Sequence, residues 1–302
     1  MLPFARVAVI GMGLIGSSLT RAIRATMPTV HLTVHDADAS VRERVLALDL
    51  ADDVTDMPGA AVIDADLVIL AVPVLAMMKV AAAIAADRPV GCVVSDTGSV
   101  KGSVLADLSE ALPEGIAIVP AHPVAGTEQS GPDAGFATLF DARWCILTPP
   151  VDADAFAVAR VTEFWTRLGA KVETMTPEHH DLVLAVTSHL PHLIAYSIVG
   201  TASDLESVTR SEVIKYSAGG FRDFTRIAAS DPVMWRDVFL SNKDAVLNVL
   251  QRFSEDLTAL QRAIRWGDGD YLEALFSRTR AVRRGIVDEG QDTGDADFGR
   301  RH

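Results

Sequence analysis

The chain has 302 residues, 49% of them hydrophobic and 22% charged, enough to bury one large core or two moderate ones. Its formal net charge of −13 speaks against a nucleic-acid backbone or an anionic membrane surface as partner, because both select a basic face. The two cysteines, Cys92 and Cys145, sit in the apolar runs GCVVS and RWCILT and are expected to be reduced core thiols, which suits a cytoplasmic protein.

The first strand-like run, RVAVI, begins close to Met1 and follows no small-residue cleavage site, so export through a signal peptide is not expected. From residue 6 to about 175, short β-branched runs alternate with helical patterns: RVAVI, GSSLTRAIRAT, HLTVHD, ASVRERVLALD, DLVILAV, LAMMKVAAAIAA, GCVVSD and GIAIVPAH. That alternation predicts an α/β fold, a doubly wound parallel sheet of the Rossmann type. WCILTP, the helical DAFAVARVTEFWTRLG and KVETM are expected to extend it. At Thr176 the pattern changes to an all-α one, with Thr176 as helix cap and Pro177 at the first helical position.

Three regions follow: 1–175 as an NAD-binding domain, 176–287 as a helical substrate and dimerisation domain, and 288–302 as a polar, disordered tail. The segment AVTSHLPHLIAYSIVGTA is apolar, but Ser188, His189, Pro191 and His192 interrupt it. It reads as a buried helix with polar work rather than a membrane span. From Pro232 to Trp266 one long helix is predicted, with Trp235, Val238, Phe239, Val246, Val249, Leu250, Phe253, Leu257, Leu260 and Ile264 on one stripe. A helix of roughly 50 Å overhangs a small domain, so a second copy of the chain is expected to cover it in a symmetric homodimer.

VAVIGMGLIGSSL places Gly11, Gly13 and Gly16 in G-x-G-x-x-G spacing between a strand and a helix. Such a loop turns tightly, lets a pyrophosphate approach the backbone and presents a helix N-terminus to it. Leu14 and Ile15 lie within it, and Val72, Pro73 and Asp96 are further candidate cofactor contacts. Asp36 follows the second strand about 20 residues later, where an acidic side chain bonds ribose hydroxyls and repels a 2′-phosphate, so NAD is expected over NADP. Asp38 could share that role, or Asp36 could be a turn residue.

In GCVVSDTGSVKGSV a strand ends in hydroxyl residues, among them Ser99, which is either a helix cap or a crevice group. IAIVPAH ends in His122, followed by Pro123. A histidine there is a candidate base near neutral pH or a structural turn residue. His189 and His192 as metal ligands lack an obvious third partner, so no metal is expected. His179 and His180 read as exposed residues of a first helical turn.

Together, GMGLIGSSL, DTGSVKG, AHPVAGTEQSG, TSHLPHLIAY and SAGGFRDFTRIAASDPVMW closely resemble the prephenate and arogenate (cyclohexadienyl) dehydrogenases of tyrosine biosynthesis, in their monofunctional form, from residue 6 to about 285. The resemblance implies that His122 is the catalytic base and Ser99 the serine that orients it. It implies that Thr127, Glu128, His189, His192, Gly219, Asp223, Arg226 and Trp235 line the substrate pocket, with Arg226 on a carboxylate. Glu128 is awkward beside a dianionic substrate unless it pairs with Arg222, Arg226, a protonated histidine or the ammonium of arogenate.

The expected activity is NAD-dependent oxidative decarboxylation of prephenate, arogenate or both. A related two-domain dehydrogenase acting on a hydroxy acid or imine, and a non-catalytic NAD sensor, are the alternatives. Fold alone does not choose among them.

Overall fold

The computed structural model describes residues 2–127, 129–204 and 219–288. The expected contact of Glu128 and the expected tail at 289–302 therefore lie outside the described residues. The chain divides into two compact units, Met1–Val246 and one that starts at Leu247.

The first unit opens with β1 (Arg6–Ile10), α1 (Leu14–Thr26), β2 (His31–His35), α2 (Ala39–Ala47), β3 (Asp53–Thr55), α3 (Pro58–Val62) and β4 (Leu67–Leu70). It continues through α4 (Met77–Ile84), β5 (Val93–Asp96), α5 (Gly102–Ala111) and β6 (Ala117–Ile118). The six strands are parallel, in the order β3-β2-β1-β4-β5-β6. Val7, Val9, Leu32, Val34, Leu67 and Ile69 pack into one apolar cluster, and Ala8, Ile10, Val68, Leu70 and Val94 into another. Side chains alternate across a strand, so two clusters mean a sheet covered on both faces, as parallel sheets require.

The order reverses direction between β1 and β4, and the crevice past their carboxyl ends is where open α/β sheets bind ligands. The glycine loop sits there. Gly11 has φ +97°, and a Cβ on it would meet the Ala71 carbonyl beyond β4. A Cβ on Gly16 would collide with the Gly11 carbonyl oxygen, which is how α1 starts so close to β1.

Two sequence expectations about strands are corrected. GIAIVPAH is not one strand: β6 stops at Ile118, and β7 (Ala121–Pro123) belongs to a second sheet with β8 (Trp144–Leu147) and β9 (Lys171–Thr174). Pro120 lacks an N–H for the ladder, and its carbonyl instead accepts from Thr148 N at 2.9 Å. WCILTP and KVETM therefore do not extend the parallel sheet: β7 runs antiparallel to β8, with His122 opposite Ile146, and β8 runs parallel to β9. α6 (Ala155–Arg167) connects the last two strands.

Helices follow, beginning with α7 (Pro177–Leu184), capped by the Thr176 side chain as expected. One π turn, Ala185–His189, leads into α8 (Leu190–Asp204). Pro191 has no N–H to give to the carbonyl one turn back, and a widened turn is a known accommodation. α8 is less buried than expected, with only Leu190 and Ala195 fully covered. Pro177–Asp204 is long and apolar enough to cross a membrane by length and composition, yet it buries His180, Asp181 and His189 within the unit.

After α9 (Gly219–Thr225), the predicted long helix is in fact two: α10 (Pro232–Ser241) and α11 (Lys243–Trp266). They part at Asn242, at φ −109° and ψ 31°, whose buried amide bonds the Asp181 carbonyl and the His189 ring. Trp235 and Val238 of α10 join the apolar cluster of Ile10, Leu70, Val74 and Met77. In the second unit, α11 is followed by α12 (Gly269–Asp288), and Leu257, Ile264, Trp266, Phe276 and Val282 stand exposed. Both cysteines are free and buried.

The glycine loop yields a stability test. Gly16→Ala forces α1 away from β1, and overpacking of this kind costs about 1–3 kcal/mol. Urea unfolding should show that loss, whereas Gly13→Ala, whose added Cβ meets nothing within 4 Å, should leave the midpoint nearly unchanged.

Candidate active site

The site is assembled beyond the carboxyl ends of β5 and β6, around a fully buried ion pair. Lys101 Nζ donates to Asp96 Oδ2 and, at 2.7 Å, to the Ala121 carbonyl. Asp96 also accepts from Gly98 N at 2.7 Å and from Ala121 N at 3.3 Å. The pair thus fixes the loop that carries Ser99 against the strand that carries His122. Burial pushes the Asp96 carboxyl up and the Lys101 ammonium down, and each group's charge opposes the other's shift. Asp96 was expected to touch the cofactor, but its carboxylate is sealed inside the protein, so that expectation is corrected to an internal one.

His122 is 8% exposed and donates or accepts at Nδ1 against His180 Nε2, 2.8 Å away. His180 Nδ1 lies 2.8 Å from Asp181 Oδ1. The same carboxylate accepts from Lys101 N and Gly102 N, each at 2.8 Å, and so closes the N-terminus of α5. Burial, with the nearby His180, Lys101 and His189, holds the His122 imidazole well below the ordinary histidine range. It is neutral at neutral pH, as a base must be. The expectation for His180 was wrong: His179 is exposed, whereas His180 is fully buried and holds the candidate base.

His189, on the π turn, is fully buried, its Nδ1 3.1 Å from Asn242 Nδ2, and burial pushes it down to about 4. His192 stacks on Trp235 with centroids 3.6 Å apart, and its Nδ1 contacts the Ser188 carbonyl at 2.8 Å. Burial lowers His192, opposed by the Ser188 carbonyl and assisted by the positive charge of Arg226. The backbone of Ser99 opposes the His189 shift, which places His189 against the loop that carries Ser99.

Of the other candidate residues, Ser99 is half-buried, while Thr127, Asp223 and Arg226 are exposed. Gly219 opens α9, which carries Asp223 and ends just before Arg226. Thr127 Oγ1 accepts from Gln129 N at 3.2 Å.

At the nucleotide end, Asp36 Oδ2 accepts from Met12 N at 2.8 Å and Oδ1 from Asp38 N at 2.9 Å, so its carboxylate sits against the glycine loop. Asp38 instead caps α2 by accepting from Ser40 N. Leu14 and Ile15 begin α1 half-buried, as is Val72, and Pro73 is exposed beside them. Gly13, the N-cap of α1, faces open space where a Cβ would stand. That is the room a diphosphate needs over the first N–H groups of a helix. Among the described residues no cluster of three metal-ligating side chains occurs.

Fold and site together define a dinucleotide-binding α/β enzyme with a buried, neutral histidine at the sheet's ligand edge and an added helical part. The model for the nucleotide-binding domain of prephenate dehydrogenase matches residues 19–174, and that for its dimerization domain matches residues 176–278. The chain is 49% identical over 283 residues to a cyclohexadienyl dehydrogenase of Zymomonas mobilis, covering 94% of this chain and 96% of that one. It is 33% identical to a prephenate dehydrogenase of Bacillus subtilis, covering 91% and 74%. Among solved structures, prephenate dehydrogenase from A. aeolicus in complex with hydroxyphenyl propionate and NAD+ matches at a TM-score of 0.86 and 33% identity, over 95% of this chain and 98% of that one. The chain belongs to the prephenate dehydrogenase family.

The buried pair gives a measurable consequence. Lys101→Met leaves the Asp96 charge unpaired, a change that costs about 3–5 kcal/mol. Chemical denaturation should show it, and adding Asp96→Asn to Lys101→Met should recover a substantial part.

Proposed function

We propose that this protein is an NAD-dependent dehydrogenase that oxidatively decarboxylates prephenate, arogenate or both, in the cytoplasm. The observation that carries the reading is the neutral, buried imidazole of His122, held beside the Ser99 loop at the ligand-binding edge of the sheet. Gly11, Gly13 and Gly16, with Leu14, Ile15, Val72 and Pro73, would hold the dinucleotide, and Asp36 its adenosine ribose. Bound there, NAD would supply a hydride acceptor. A carboxylate at position 36 disfavours the 2′-phosphate of NADP.

The substrate carries a hydroxyl on ring C4 and, across the ring, a quaternary carbon with a carboxylate. His122 takes the hydroxyl proton as hydride leaves C4. The bond to the carboxylate then breaks, its electron pair moves through the ring to the oxygen, and His122 returns the proton to give a phenol. The products are carbon dioxide and 4-hydroxyphenylpyruvate, or tyrosine from arogenate. Ser99 orients this exchange, and His189, His192 and Trp235 form the polar and stacked wall of the pocket, with Thr127, Glu128, Gly219 and Asp223 around it. Arg226 engages a carboxylate, a role that its charge beside His192 supports. A sensor would have no use for a base held neutral by burial, and a plain hydroxy-acid dehydrogenase would release no carbon dioxide.

We propose a working boundary at residue 175, supported by the change of family model between residues 174 and 176. The second copy expected from the sequence is supported by the dimerization-domain match and by the exposed apolar residues of α11 and α12.

Purified protein given prephenate and NAD should release NADH and carbon dioxide in equal amounts. NADH without carbon dioxide refutes the assignment. His122→Asn should lower kcat about 10²- to 10⁴-fold with little change in KM. The acid limb of the wild-type kcat/KM profile should fall below the ordinary histidine range, because activity is lost only as pH drops through the depressed His122 pKa.

Assembly has its own check. Sedimentation should give a dimer for the wild type, and Ile264→Asp with Phe276→Asp should shift it to monomer. A monomeric wild type at micromolar concentration rules out the dimer.

A further inference from the structure

We propose that Asp181 and His180 form a tautomer relay that fixes the proton of His122 on Nδ1 and leaves Nε2 as the lone-pair nitrogen that acts as base. The inference rests on the catalytic reading of His122 and adds two positioning residues to it.

The relay follows from which atoms can donate. Against the burial that would raise it, hydrogen bonds from His180 and from the Lys101 and Gly102 N–H groups hold the Asp181 carboxyl below its ordinary value. Ionised, that carboxylate only accepts. The nitrogen 2.8 Å from it, His180 Nδ1, must therefore carry the hydrogen. Burial lowers the His180 pKa, opposed by the Asp181 hydrogen bond, so the ring is neutral and its Nε2 is an acceptor. His122 Nδ1, 2.8 Å from that acceptor, must then be the donor. A neutral ring protonated on Nδ1 has its lone pair on Nε2, and with His180 neutral no other assignment satisfies both contacts.

The relay is anchored at its far end. The two backbone N–H groups at the start of α5 bind the same carboxylate, and Asn242 Nδ2 holds the Asp181 carbonyl at 2.8 Å. Asp181 cannot turn away without exposing a helix N-terminus. When His122 gains a proton on Nε2, its Nδ1–H still points at His180 Nε2 with the Asp181 charge behind it. The relay therefore selects the tautomer at rest and stabilises the imidazolium during reaction, with no proton passing along it.

The groups facing His122 are Lys101 at the start of α5, His180 of α7 and His189 of the π turn. Lys101 and any protonated histidine oppose the imidazolium, and Asp181 is the carboxylate on the other side of His180. Removing the relay should therefore weaken the base.

The test uses full-length protein labelled with ¹⁵N-histidine, with the His122 resonances identified from their loss in His122→Asn. In the wild type, the ring nitrogens should report hydrogen on Nδ1 and a bare Nε2. His180→Leu should lower kcat about 10²- to 10³-fold, on the scale of a lost general base, with KM for NAD close to the wild-type value and a mixture of His122 tautomers. His180→Gln, which restores an acceptor, should recover part of kcat, and His179→Leu should change nothing.

Asp181→Asn places an amide donor where only acceptors fit and should also scramble the tautomer. Because it loosens the α5 cap, its folding is checked by circular dichroism, and the wild-type spectrum decides the matter if it unfolds. A wild-type His122 carrying hydrogen on Nε2, or a His180→Leu enzyme with wild-type kcat, overturns the relay. The ring spectrum needs no substrate, so failure to turn over prephenate would refute the functional reading and leave the relay to be judged by its tautomer.

Discussion

Lys101 is held at both ends, and the geometry of the site depends on that. Its ammonium pairs with Asp96 and the Ala121 carbonyl, while its backbone N–H binds Asp181. One residue thereby connects the end of β5, the start of β7 and the second turn of α7. Burying the two charges costs nearly as much as their attraction returns, so the pair adds little net stability. Its contribution is placement. None of the three segments can shift without leaving a charge or a helix terminus unpartnered in the interior.

The same lysine sets an electrostatic problem that the neighbouring groups solve. Burial keeps the His122 imidazole neutral at rest, and the nearby His180 and the Lys101 cation add to that effect by disfavouring a second positive charge. Taken alone, that would also make the histidine a poor proton acceptor. Asp181 lies beyond His180, whose ring connects its carboxylate to His122 through two contacts of 2.8 Å.

Much of this was legible in the sequence, and the rest was hidden for identifiable reasons. The glycine loop and Asp36 follow local spacing rules, and His122 was visible as a polar residue at the end of an apolar run. His180 was misread because His179 and His180 are adjacent, and only the rotation of the helix distinguishes them. Pro177, His180, Asp181 and Leu184 are the buried residues of α7, and their spacing of three, four and seven was the available signal. Asn242 was missed because the apolar stripe continues past it, although a polar residue on such a stripe is itself a warning. The Asp96–Lys101 pair lies in a loop with no periodicity, so nothing local announced it.

A chain of net charge −13 repels a dianion at long range, and charges in solution are screened beyond about 8–10 Å. Within that distance the local charges decide. Burial depresses His192, with the Arg226 guanidinium near enough to add to it, and His192 is stacked flat on Trp235. The Arg226 guanidinium, close enough to act on His192, is a positive charge of that local kind, and at such distances it outweighs a screened long-range field.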